Sequence, residues 1–171
     1  MKLWTLSIRL RMVTAIKLIS SLQPIMQDPT RSDFSSLLPI SVKWGEMDAL
    51  GHVNNTVFIR YAEDGRIDYF HRLVDTEHGG WSVGPILADL RCNFRRQLRY
   101  PAKVAMGTRI ARVGGSSMTL VQALFGAEDD SLFAIFETIV VWFDFKAQKS
   151  VPIDNAARQR IEDVEVIPPQ M

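Results

Sequence analysis

Residues 44–66 read WGEMDALGHVNNTVFIRYAEDGR, and this stretch decides the fold. The acidic residue Asp48 is followed within seven positions by Gly51, His52, Asn54 and Asn55. A helical pattern begins at once. Phe58, Tyr61, Ala62, Gly65, Tyr69 and Leu73 fall on one helical face. Arg60, Glu63, Asp64 and His71 fall largely on the other. Asn54 or Asn55 can cap this helix, because a side-chain amide oxygen can accept from an exposed N–H. Gly65 inside it costs about 1 kcal/mol relative to alanine. Close packing of the helix on a sheet, where no Cβ fits, would offset that cost. A carboxylate placed just before a helix N-terminus faces free backbone N–H groups. Such a field can hold the oxyanion of an acyl-transfer reaction.

Working outward, residues 39–46 (PISVKWGE) alternate apolar and polar and read as a short strand, with a glycine-containing loop over 47–53. Residues 75–84 are turn-rich. Only strand signals follow, over 85–98, 102–113, 116–126 and 131–145, before a short polar helix over 154–163. Gly114-Gly115 marks one tight turn and Glu128-Asp129-Asp130 the next. The strand 131–145 is nearly apolar on both faces. Phe133, Ile135, Ile139, Val141 and Phe143 lie on one face, and Leu132, Ala134, Phe136, Val140 and Trp142 on the other. Such a strand is central and covered on both sides. One long helix covers one face, so the other is expected to pack on another subunit.

The chain has 171 residues, enough for one domain with a core that needs no staples. Its net charge of +1 gives no bulk electrostatic case for nucleic acid. The single cysteine, Cys92, excludes an intramolecular disulfide and argues against a cysteine-based zinc site. It is compatible with a reducing, cytoplasmic compartment. The acids and histidines are not spaced as a metal-ligand cluster, so no metal is implied. Residues 1–36 are expected to lie outside the fold, with the domain over 37–171 and a polar linker around 27–36. Residues 1–27 carry Lys2, Arg9, Arg11 and Lys17 and no acid. They hold no apolar run of transmembrane length. Arg9, Arg11 and Lys17 also break any secretory h-region. Three readings stay open for them: a basic amphipathic surface segment, a transit-like leader, or an over-extended start upstream of Met26.

The order strand, long helix, then four antiparallel strands is α+β. The stretch 44–66 resembles the signature of the 4-hydroxybenzoyl-CoA thioesterase-like acyl-CoA thioesterases. That signature runs through Asp–x–x–Gly–His–Val–Asn–Asn and an aromatic, with an acid and an arginine further along the helix. The resemblance covers about residues 38–160 and implies the hot-dog fold, an antiparallel sheet of about five strands wrapped around one long central helix. It implies that Asp48 is catalytic, attacking an acyl-CoA thioester or activating a water that does so. Amides at the helix start would polarise the carbonyl, with Gly51, His52 and Asn54 as loop and oxyanion support. Asn55 stands where some subfamilies carry a histidine and is a second catalytic candidate. Arg95, Arg96, Arg99 and Lys103 are candidates by residue type for the phosphates of coenzyme A. Ser116 and Ser117 follow the Gly-Gly turn where many relatives place a nucleotide-contacting serine. No cofactor is implied, because coenzyme A is part of the substrate. A homodimer or homotetramer with active sites at the subunit interface is expected.

Each residue also has a simpler reading. Asp48 can close an Asx turn. His52 can fix the loop through backbone hydrogen bonds. Glu63, with Arg60 and Arg66 three residues to either side, reads as a surface ion-pair partner. Arg95-Arg96 reads as a solvated strand edge. Two other functions fit the same fold: a dehydratase or hydratase on acyl thioesters, and a non-catalytic acyl-CoA-binding protein.

Overall fold

The computed structural model describes residues 28–73 and 82–171. The three readings of residues 1–27, and most of the turn expected over 75–84, lie outside the described residues. The elements are β1 (Ser36–Ser41), α1 (Asn55–Leu73), β2 (Val83–Phe94), β3 (Lys103–Val113), β4 (Ser117–Gly126), β5 (Leu132–Asp144), β6 (Lys149–Ser150) and α2 (Asn155–Val164). The strands form one antiparallel sheet in the order β1-β3-β4-β5-β2, with β6 on β5. The sheet curls about α1, as the hot-dog architecture requires.

Helix α1 lies on the sheet because its buried face has no bulk at the crossing point. A Cβ on Gly65 would stand 2.5 Å from Met106 Cγ and 3.0 Å from Thr108 Oγ1. Either side of that contact the core divides. Towards the helix start, Val57, Phe58, Tyr61 and Ala62 pack with Val104, Met106 and Phe136. Towards its end, Tyr69, Phe70 and Leu73 pack with Ile110, Leu120 and Val140. Ala157 and Ile161 of α2 close that end. Asp154 caps α2, accepting the Ala157 N–H at 2.7 Å.

Three sequence expectations shift. The strand expected over 39–46 runs instead from Ser36 to Ser41. Beyond it the Glu46 carboxylate accepts the Lys43 N–H at 2.6 Å and folds Trp44–Glu46 into a 3-10 turn. The strand expected to reach residue 98 stops at Phe94, because Arg95 and Arg96 both donate N–H to the Phe133 carbonyl. Residues 28–36, expected outside the fold, are built into it. Phe34 is buried and meets Phe125 edge-to-face at 5.7 Å. On the sheet face away from the helix, Phe34 clusters with Val121, Ala123 and Phe125 of β4.

The two sheet edges differ. Strand β3 outruns β1, whose pairing ends at Ser36–Thr108. The C-terminal segment takes over: Glu165 Oε1 accepts the Ile110 N–H at 2.6 Å, and Gln170 bonds Ala111 and Val113 through its main chain. Among the described residues strand β2 pairs with β5 alone, so its other edge is open there. A bulge interrupts it between Leu87 and Asp89. Its one cysteine, Cys92, is a free thiol that burial pushes up to about 11. Among the described residues no helix is long and apolar enough to cross a membrane.

Candidate active site

Residues 47–53 form a tight hairpin. Met47 and Val53 bridge, the Asp48 N–H donates to the His52 carbonyl at 2.8 Å, and the Gly51 N–H donates back to the Asp48 carbonyl at 3.0 Å. Gly51 turns the chain at φ +78°, a conformation that costs a Cβ-bearing residue strain. The Asp48 side chain is half-exposed, and its Oδ1 accepts the Leu50 N–H at 2.8 Å. That is the Asx turn. It occupies one carboxylate oxygen and sets the direction of the other. The simple reading thus holds, and it leaves the second carboxylate oxygen outside the turn.

The hairpin leads straight into α1. Asn54 is the cap: its Oδ1 accepts the Thr56 N–H at 2.9 Å and the Thr56 hydroxyl at 2.7 Å. Its carbonyl accepts the Val57 N–H at 3.0 Å. The Asn55 N–H is left as the first-turn donor without an acceptor among the described residues. The side chain of Asn55 is exposed. The structure thus brings together Asp48, Gly51, His52, Asn54 and Asn55 as one unit at the positive end of a 19-residue helix.

Glu46, to which the sequence reading gave no role, braces the hairpin. It accepts the Tyr61 hydroxyl at 2.6 Å as well as the Lys43 N–H, and its carbonyl receives the Asn54 N–H at 2.9 Å. Burial, reinforced by the Glu46 carboxylate, holds the Tyr61 phenol protonated well above its ordinary range. Glu46 therefore staples the hairpin to the second turn of the helix. An acid two residues before Asp48 was the available signal.

The candidate coenzyme A contacts separate. Arg95 is paired with Asp28 at 2.7 Å. Arg96 is exposed and lies close enough to Asp129 to help hold it below the usual carboxylate range, behind the hydrogen bonds that Asp129 takes from Ser131. Ser116 sits in the β3–β4 turn and Ser117 opens β4, at the end of the sheet opposite Asp48, their carbonyls accepting the Trp142 and Gly114 N–H groups. Strand β3 alone spans about 30 Å at roughly 3.3 Å per residue. Within one chain, then, these serines and Asp48 do not meet. A groove of about 580 Å³ is lined by Val42, Ala102, Lys103, Asp129 and Phe133 and includes no residue of the hairpin. Among the described residues no three histidines, cysteines or acids converge as a metal site.

Residues 42–161 match the thioesterase-like superfamily. Among curated relatives, the long-chain acyl-CoA thioesterase FadM of Escherichia coli (strain K12) is 21% identical over 73% of this chain and 96% of its own length. YsmA of Bacillus subtilis (strain 168), an uncharacterized protein, is 30% identical over 53% of this chain, a match that spans 60% of YsmA. A thioesterase of Thermus thermophilus, solved with coenzyme A and zinc, shares 28% identity over 80% of this chain and 98% of its own, with a TM-score of 0.69. The PA5185 protein of Pseudomonas aeruginosa has the same fold, with a TM-score of 0.72 at 23% identity over 84% of this chain and 99% of its own.

Proposed function

The chain belongs to the thioesterase-like superfamily, and from that premise we propose that it hydrolyses an acyl-CoA thioester to a carboxylic acid and coenzyme A, with Asp48 as nucleophile or general base. The observation that carries this reading is the half-exposed carboxylate of Asp48, held by the Leu50 N–H in a hairpin that leads directly into α1. A thioester carbonyl is a good electrophile and its thiolate a stable leaving group. An aspartate, ordinarily ionised at neutral pH, needs only alignment and a held oxyanion. The free Asn55 N–H and the helix dipole would supply the latter. Oxygen adds at the carbonyl carbon, from Asp48 or from a water that gives Asp48 its proton. The C–S bond then breaks, and the thiolate leaves with the electron pair. Attack by Asp48 itself would leave an acyl-aspartyl anhydride for water to hydrolyse.

Coenzyme A as carrier is supported by the Thermus relative, which was solved with it. The working unit is a homodimer or a dimer of dimers, through the open edge of β2, where Leu87 and Phe94 are both nearly half exposed. The proposed compartment is the cytoplasm, in keeping with a single reduced thiol.

Release of free thiol from a panel of acyl-CoA thioesters tests the reading. Turnover on at least one acyl class is expected. Hydration of an enoyl-CoA without hydrolysis would make the protein a hydratase instead, and tight acyl-CoA binding without turnover would make it a binding subunit.

A further inference from the structure

The Asp48 hairpin is fastened from outside by three consecutive residues. The Leu98 carbonyl accepts the Val53 N–H at 2.8 Å, Arg99 Nη2 lies 2.9 Å from His52 Nε2, and the Tyr100 N–H donates to Met47 Sδ at 3.3 Å. Both limbs of the hairpin are therefore held by the segment that follows β2. The middle contact has a defined polarity. A guanidinium can only donate, so His52 Nε2 accepts, and the ring is neutral with its proton on Nδ1. The carbonyl of that same His52 takes the Asp48 N–H at 2.8 Å. Arg99 thus stands two bonds from the backbone of the candidate catalytic residue.

The neighbouring cations are differently placed. Arg95 is committed to Asp28, and Arg96 faces Asp129. Arg99 is exposed, has no carboxylate at ion-pair distance among the described residues, and spends its bond on a neutral ring inside the hairpin. An exposed arginine used in this way adds little to the core. Its effect falls on the orientation of residues 48–52. We propose that Arg99 is a positioning residue, which holds His52 in the Nδ1–H tautomer and through it sets the Asp48 backbone and carboxylate for attack. It is not the phosphate contact that its residue type alone suggests. This inference rests on the reading of Asp48 as the reactive group.

The test is steady-state kinetics on acyl-CoA at two salt concentrations with Arg99→Ala, Arg99→Lys and His52→Ala, alongside ¹⁵N spectra of the His52 ring. Misplacement of a reacting group by about 1 Å costs about a hundredfold, so loosening one tie is expected to lower kcat about tenfold or more. KM, its salt dependence and the thermal midpoint should stay as in the wild type. Arg99→Lys, which can still donate, should recover part of kcat. A double variant combining Arg99→Ala with His52→Ala should be no slower than His52→Ala alone, because both act through one contact. The wild-type ring should show the Nδ1–H tautomer and Arg99→Ala a mixture. An unchanged kcat, a salt-dependent rise in KM with kcat intact, or an Nε2–H tautomer in the wild type would each overturn the proposal. A wild-type protein without turnover would overturn the thioesterase reading instead, and the tautomer would still decide the Arg99–His52 contact.

Discussion

Gln122 of the central strand β4 donates through Nε2 to the Ala62 carbonyl of α1 at 2.7 Å, although both residues are fully buried. The carbonyl can only accept, so the amide orientation is fixed. The same Nε2 also lies 3.1 Å from Thr108 Oγ1, and Thr138 donates to Gln122 Oε1 at 3.2 Å. Three strands and the helix thus share one buried polar knot, directly beside the Gly65 crossing. An apolar residue of similar size would leave two hydroxyls unpaired in the core. Gln122→Leu is expected to lower unfolding free energy by about 2 kcal/mol. Urea denaturation should show a lower midpoint with an unchanged slope.

The second buried knot titrates. Glu165 accepts the Tyr69 hydroxyl and the Ile110 N–H at 2.6 Å each, and the Ser35 hydroxyl at 3.2 Å. Burial raises its carboxyl above the ordinary glutamate range, against the pull of those bonds and of Arg109. A group whose folded pKa is raised contributes stability that is full below the unfolded value. That contribution fades as pH climbs through the folded value. Wild-type stability, taken relative to Glu165→Gln, should therefore decline as pH rises from the ordinary glutamate range. Thermal midpoints of both proteins across that range check the sign. A wild type that gains on the variant as pH rises would contradict it.

The proposed association uses the β2 edge, which is open among the described residues. Light scattering at micromolar concentration should give a dimer or a multiple of it. Leu87→Glu places a charge at a position that is 48% exposed in the single chain, so the fold should tolerate it. It should weaken self-association about tenfold or more, because a charge on a sheet edge opposes edge-to-edge pairing. A wild-type monomer would count against the interface and against active sites built across it.

Much of the architecture was legible in the sequence because it rests on periodicity and on small residues. The helix face from Phe58 to Leu73, the Gly65 crossing and the two-sided apolar strand β5 are all patterns that one chain segment carries by itself. What stayed hidden depends on partners distant in sequence. Nothing local marks Glu165 as the acceptor for Ile110 and Tyr69, or Phe34 as the cover for Phe125. Strand ends were misplaced where a side chain or a shared carbonyl redirected the backbone, at Glu46 and at Phe133.

The same division holds at the site. The spacing of Asp48, Gly51, His52, Asn54 and Asn55 pointed to a loop feeding a helix; the structure makes that loop a hairpin and puts the cap on Asn54. The functions of the cations were not legible, since residue type does not distinguish Arg95 on Asp28 from Arg99 on His52. Nor could the sequence show that Ser116 and Asp48 lie at opposite ends of the sheet.

The central claim is that the Asp48 carboxylate performs the chemistry. Thiol release by Asp48→Asn, compared with the wild type on the best acyl-CoA substrate, tests it most directly. Asparagine can keep the Leu50 N–H bond through its amide oxygen, so the hairpin should survive while the charge is lost. The account predicts a fall in kcat of about a hundredfold or more with an unchanged circular dichroism spectrum. Wild-type turnover in Asp48→Asn would contradict it.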